Sequence, residues 1–185
     1  MSGVVVFVGD GLSSAARWEE RFPELDVHDL GVNGDTTDEV VARLDEVIAL
    51  DPDAVVLQIG TNDVGWNRTD EYIVRNIETI LCTLRKQLPG VRLIVQSVPP
   101  REDIFTSVIR SVNLHLRQFA PTVKARYLDL WPALADSEGR LSAQWTTDGL
   151  HLTEAGYDVW LAELRPALIT ALEQPLRMPA RSQPA

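Results

Sequence analysis

The sequence predicts an α/β protein: a three-layer α/β/α domain on about five parallel strands. Three observations lead there. Short apolar, β-branched runs recur along the chain, each closed by glycine or proline. Segments with a helical apolar face separate those runs, the pattern of right-handed β-α-β crossovers. The chemically unusual motifs fall directly after strands, where open parallel sheets carry their sites.

Val4 to Val8 is a continuous β-branched and aromatic run ended by Gly9, the signature of a strand buried on both faces. A short helix is expected around Ser13 to Arg21, and a second strand over Leu25 to Leu30. Thr36 to Leu50 reads as one helix, with Val40, Val41, Leu44, Val47 and Ile48 on one face and Pro52 ending it. Ala54 to Ile59 is the third strand. In Thr69 to Leu88, Ile73, Ile77, Ile80, Leu81, Leu84 and Leu88 recur at helical spacing before Pro89-Gly90. Val91 to Val98 is the fourth strand, stopped by Pro99-Pro100. A helix over Asp103 to Phe119 and a fifth strand over Val123 to Leu130 follow. An irregular stretch then leads to His151, and the last helix covers Thr153 to Glu173. The organisation is flavodoxin-like. Residues 1–173 are expected to form one domain, and the Pro/Arg/Ser-rich residues 174–185 a disordered tail.

A chain of 185 residues is large enough to bury a core without staples. Its net charge of −10 repels phosphate backbones and speaks against nucleic-acid binding. The single cysteine, Cys82, excludes an internal disulfide framework and a cysteine-rich zinc site; its place on a helical apolar stripe predicts burial. No apolar stretch approaches the roughly 18–20 residues of a membrane span. Val4 to Val8 is too short for a signal peptide and lacks a basic flank, so a cytoplasmic location is expected. Oligomeric state is left open, since neither heptads nor repeats bear on it.

Four segments concentrate polar chemistry: Gly9-Asp10-Gly11-Leu12-Ser13, Asn33-Gly34-Asp35-Thr36, Gly60-Thr61-Asn62-Asp63 and Asp148-Gly149-Leu150-His151. The first three follow strands and the fourth closes the long loop, so all four should meet at the carboxyl edge of the sheet. Asp148, three residues before His151, suits a carboxylate that folds back to fix the tautomer of a histidine base. Asn62 offers an uncharged NH₂ donor and Gly34 a backbone N–H that a ligand can approach closely. Both suit an anionic tetrahedral intermediate. No metal or organic cofactor is required, because side chains and N–H donors handle every charge.

Together these blocks resemble the SGNH, or GDSL-type, hydrolase family, including its small acetylhydrolase and lysophospholipase-like esterases, from Val4 to about Glu173. That family's first block is Gly-Asp-Ser-x-Ser/Thr, with serine as the nucleophile. The resemblance implies His151 as base, Asp148 as its orienting carboxylate, and Gly11, Gly34 and Asn62 as oxyanion donors. It further implies a serine ester hydrolase or acyltransferase for a short acyl, such as acetyl, ester of a small molecule. The departure is at the centre: Gly11 stands where the serine belongs, so this chain is expected to be strongly impaired. Two origins fit, natural loss of the hydroxyl or replacement of a serine to abolish turnover. The intact remaining blocks favour recent or deliberate loss.

Among the other polar residues, Ser13 is read as a helix cap and not as a displaced nucleophile. Asp10 is read as a turn former, Asp35 and Asp63 as turn and cap residues, and His28 and His115 as packing or surface groups. Trp66, Trp145 and Leu150 are candidates for a substrate pocket; these tryptophans and Trp131 could equally anchor loops. Arg101 is read as a solvated surface residue. Two other functions stay open. One is a non-catalytic ligand-binding protein on the same fold. The other is a dinucleotide-binding protein using Gly9, Gly11 and Asp29, at nearly the Rossmann spacing but without its third glycine.

Overall fold

The three runs that are apolar on both faces, β1 (Val4–Gly9), β3 (Ala54–Gln58) and β4 (Arg92–Gln96), form the centre of one sheet. The more polar β2 (Asp26–Gly31) and β5 (Ala125–Leu128) take its edges, giving the order β2-β1-β3-β4-β5. Every pairing is parallel. The structure is a computed structural model and describes residues 3–173, so the expected tail at 174–185 lies outside the described residues.

Strand alternation divides the core in two. Val6, Val8, Val55 and Leu57 face one layer, made by α3 (Thr37–Ala42), α4 (Leu44–Ala49), α6 (Asp70–Gln87) and α7 (Thr106–Phe119). Val5, Phe7, Ala54 and Val56 face the other, made by α1 (Gly11–Ser14), α2 (Trp18–Arg21), α8 (Trp131–Leu134) and α9 (Glu154–Glu173). The second layer is aromatic. Phe7 stacks on Trp18 at 4.6 Å, and Trp160 meets Trp18 edge-on at 5.4 Å. Both buried indoles satisfy their N–H groups, Trp160 on Gln96 at 2.6 Å and Trp18 on Ser13 Oγ at 3.0 Å.

Several expectations need correction. The helix expected over Thr36 to Leu50 breaks at Arg43, which leaves helical geometry (φ −113°, ψ 18°) while its guanidinium reaches Asp35 and the Gly9 carbonyl. The helix expected near Ser13 to Arg21 is two four-residue helices, separated by Arg17 in the left-handed region (φ 53°). Ser13 caps nothing. Its Oγ accepts from Trp18, and Asp10 is the cap instead. Cys82 is exposed, not core. It follows Leu81 by one residue, about 100° round the helix from the buried stripe. The fifth strand is shorter than expected, because Lys124 adopts φ 54° just before it. No helix among the described residues is long and apolar enough to cross a membrane.

A close backbone approach lies at the carboxyl end of β1. A Cβ on Gly9 would sit 2.4 Å from the Gln58 carbonyl oxygen, while one on Gly11 would meet chiefly the Asn33 amide oxygen, at 2.5 Å. Backbone cannot yield there, but an exposed side chain can turn away. Gly9→Ala should therefore lose about 1–3 kcal/mol of stability in urea melts, and Gly11→Ala should stay near the parent. Equal losses for the two would contradict this account.

Candidate active site

The crossover from β1 runs to one side of the sheet and that from β3 to the other, so a crevice opens between their carboxyl ends. Asp10 follows β1 and caps α1, its Oδ1 accepting from Leu12 N at 2.9 Å. After β3, Gly60 at φ +125° turns the chain into α5 (Thr61–Gly65), which carries Asn62 and Asp63. After β2, the chain passes through Asn33 and Gly34, the latter at φ +86°, before α3 begins.

These loops are stitched together by side chains. Fully buried Asp63 accepts from Thr37 N at 2.9 Å, Thr37 Oγ1 at 2.7 Å and Arg68 Nη1 at 3.2 Å. Asn62 Nδ2 donates one hydrogen to the Asp35 carbonyl at 2.8 Å and keeps its second. Arg43 donates to Asp35 at 2.8 Å and to the Gly9 carbonyl at 3.2 Å, tying in the first loop.

The fourth motif forms a tight turn around Thr146, whose hydroxyl donates to the His151 carbonyl at 2.7 Å and accepts from Gly149 N at 3.0 Å. Gly149 supplies φ +78°. Asp148 Oδ1 accepts from the N–H groups of Leu150 and His151, at 2.9 and 2.8 Å. Its Oδ2 lies 2.7 Å from His151 Nδ1. The hydrogen bond from His151, aided by those two backbone donors, holds the Asp148 carboxyl far below the usual carboxylate range. Asp148 is thus an anion at any working pH, and Nδ1 carries a proton toward it.

Gly11, Asn33, Thr61, Asn62, Leu150 and His151 line one cleft, which Asp10 and Leu12 complete. Its free volume is about 20 Å³, room for a single water. Of the residues singled out from sequence, Gly11, Asn62, Leu150 and His151 border this cleft, and Asp148 stands behind His151. Gly34 is next in sequence to the lining Asn33, with open space where a Cβ would be. Trp66 and Trp145 do not line it. Trp66 is 73% exposed at the end of α5, and Trp145 packs on the aromatic layer. Trp131 packs against the opposite layer. His28 lies on β2 beside Asp26, and His115 on α7, both outside the cleft.

Arg101 is not a solvated residue: it donates to the Thr61 carbonyl at 2.8 Å, lies 4.5 Å over the Phe105 ring, and buries its Nε. Asp29 is engaged locally, accepting from Gly31 N at 2.8 Å and from Ser13 Oγ at 3.5 Å. The helix after Gly9, α1, is only four residues long. No role of their own could be read from the sequence for Asn33, Thr61 and Thr146. Each stands within or beside a motif, but an Asn or Thr in a turn carries no signal beyond turn formation.

Asp10 forms part of the cleft wall and is wholly buried, with Oδ2 unpartnered. Burial, reinforced by the nearby Asp63 and Asp35 carboxylates, raises its pKa from 3.8 to about 7. Between these values the folded chain keeps a proton that the unfolded chain releases. Asp10 therefore makes stability fall as pH rises through that window, and its cost is complete above it. Asp10→Asn preserves the capping oxygen. Its melting temperature should decline less from about pH 4 to about pH 7 and exceed the parent's at about pH 8; parallel pH profiles would refute this.

Comparison with known proteins identifies the family. The model of the GDSL-like lipase/acylhydrolase family matches residues 7–159. Platelet-activating factor acetylhydrolase IB subunit alpha1 of Homo sapiens is 30% identical over 181 residues, covering 92% of this chain and 77% of that protein. Subunit alpha2 of Rattus norvegicus is 28% identical, covering 92% and 78%. The crystal structure of a GDSL-like lipase from Bacteroides thetaiotaomicron superposes with a TM-score of 0.82 at 27% identity, covering 91% of this chain and 89% of that one. On the family match, the shared sequence and the shared fold, the chain belongs to the GDSL-like lipase/acylhydrolase family, whose members hydrolyse carboxylic esters.

Proposed function

We propose that this chain binds and hydrolyses short-acyl esters, acetyl esters foremost, with Gly11 in place of the nucleophilic serine and turnover strongly lowered as a result. One observation carries the reading. Gly11, Asn62 and His151 come from three distant segments yet border one cleft, with Asp148 2.7 Å behind the imidazole. The acetylhydrolase name of the human relative favours a short acyl group.

In the serine form the hydroxyl of residue 11 attacks the ester carbonyl while His151 Nε2 takes its proton. The oxyanion that develops accepts from the second Asn62 hydrogen and from the N–H groups of Gly34 and residue 11. Asp148 stabilises the imidazolium, which then protonates the leaving alcohol. A second reading, ligand capture without turnover, draws support from Asn33, whose amide oxygen stands 2.5 Å from where the Cβ of residue 11 would be.

Gly11→Ser should raise hydrolysis of p-nitrophenyl acetate at least about 10²-fold, since positioning the nucleophile is worth several kcal/mol. A burst of nitrophenol should accompany the gain, and activity should fall from acetyl toward octanoyl esters. Gly11 lies outside the left-handed region, so serine suits the backbone once Asn33 turns aside. Within the serine form, Asn62→Ala should lower kcat by about 10²–10³-fold with little change in KM. A normally folded serine form that cleaves no ester better than its parent would hand the lead to ligand capture.

A further inference from the structure

We propose that the glycine form is itself a hydrolase of a different kind, in which a water held between His151 Nε2 and the Asn33 carboxamide attacks the ester directly. The inference rests on the esterase reading above and concerns what replaces the missing hydroxyl. The Asn33 amide oxygen stands 2.5 Å from the would-be Cβ of residue 11, so a polar atom already reaches the volume that a nucleophilic side chain would enter. Beside it the cleft holds about 20 Å³, one water's worth, bordered by Asn33, Asn62, Thr61 and His151.

A water needs two to four polar partners to be held in one orientation. Two acceptors are on offer here. Among the described residues the Asn33 side chain has no hydrogen-bond partner, and His151 engages Asp148 through Nδ1 alone. With its proton on Nδ1, neutral His151 presents Nε2 as an acceptor. A water donating one hydrogen to Nε2 and the other to Asn33 Oδ1 turns a lone pair toward an ester carbonyl seated by Asn62.

The chemistry closes without a covalent intermediate. The water oxygen bonds to the carbonyl carbon as its proton passes to Nε2, and the π pair moves onto the carbonyl oxygen, which accepts from Asn62 Nδ2. Collapse re-forms the C=O bond and breaks the bond to the leaving oxygen, which takes the proton back from Nε2. Acid and alcohol depart, and His151 returns to neutral. With no acyl-enzyme formed, this form transfers nothing through such an intermediate to an added alcohol. A fluorophosphonate finds no serine at position 11 to label.

Asn33 has opposite meanings in the two forms: it orients the nucleophile beside Gly11 and obstructs the nucleophile of Gly11→Ser. The test is a set of p-nitrophenyl acetate assays on the parent, Asn33→Ala, His151→Ala, Gly11→Ser and Gly11→Ser/Asn33→Ala, with fluorophosphonate labelling and melts. The parent should release nitrophenol without a burst and resist labelling. His151→Ala should cost it about 10²-fold, and Asn33→Ala about tenfold in kcat with KM little changed. In the serine form Asn33→Ala should raise the rate, reversing the sign. A parent no faster than its His151→Ala variant, an Asn33→Ala effect of the same sign in both forms, or a burst from the parent would each overturn the water mechanism while leaving an active serine form intact. If neither form cleaves any ester, the esterase reading falls as well.

Discussion

The geometry of the cleft depends on one buried carboxylate. Asp63 receives the Thr37 backbone N–H, the Thr37 hydroxyl and an Arg68 N–H, so the loop after β2 and the loop after β3 are held to a common point. An amide in its place would offer one oxygen where two are used. Burial raises the Asp63 carboxyl, against the opposing pull of the Thr37 donors and Arg68. The adjacent residue inherits the result. In a short helix successive side chains diverge by about 100°, so with Asp63 anchored inward Asn62 reaches the cleft and binds the Asp35 carbonyl. Arg43 extends the lattice to Gly9, and thereby to the strand end that presents residue 11.

Two aspartates bordering or backing this site show how environment assigns charge. Asp148 is half-exposed but collects hydrogen bonds from His151, Leu150 and His151 N, so it stays ionised. Asp10 is buried with one oxygen unpartnered and two further carboxylates near, so it keeps its proton up to about pH 7. Under the proposed chemistry both outcomes help. A fixed anion behind His151 stabilises the imidazolium, while a neutral Asp10 spares a developing oxyanion from like charge. The same residue type serves both ends because desolvation prevails at one and hydrogen bonding at the other.

Strands, layers and the meeting of the four motifs were legible because they rest on local signals. β-branched runs, helical periodicity and glycines after strands survive folding unchanged. What was not legible depends on distant partners. Arg43 breaks its helix to reach Gly9, 34 residues earlier in sequence. Arg101 reads as a surface cation until the Thr61 carbonyl and the Phe105 ring lie beside it. Cys82 stood on a stripe drawn too wide, and one residue of helical rotation put it in solvent. The tryptophans near the motifs were close in sequence to the cleft and not in space, since Trp66 ends a helix that points it outward. Asn33 stood within a motif, yet under the proposed chemistry its role arises only from the missing side chain at residue 11.

The two glycines that flank Asp10 are not alike, and the difference bears on why residue 11 is glycine at all. Gly9 is demanded by the sheet. Its neighbours in space are the Gln58 carbonyl and Ser13, at 2.4 and 2.9 Å from any added Cβ, and parallel strands in register cannot separate there without loss. Gly11 has no such warrant. Its backbone lies outside the left-handed region, its cap is supplied by Asp10, and the atom nearest an added Cβ belongs to the exposed Asn33 side chain. Folding alone would accept alanine or serine at that position. Under the proposed chemistry the glycine at 11 sets the reaction of the cleft and leaves its shape to the residues that hold Asn62 and His151 in place. Those residues, Asp63, Asp35, Thr146 and Asp148, each hold a hydrogen bond within or between the motif loops.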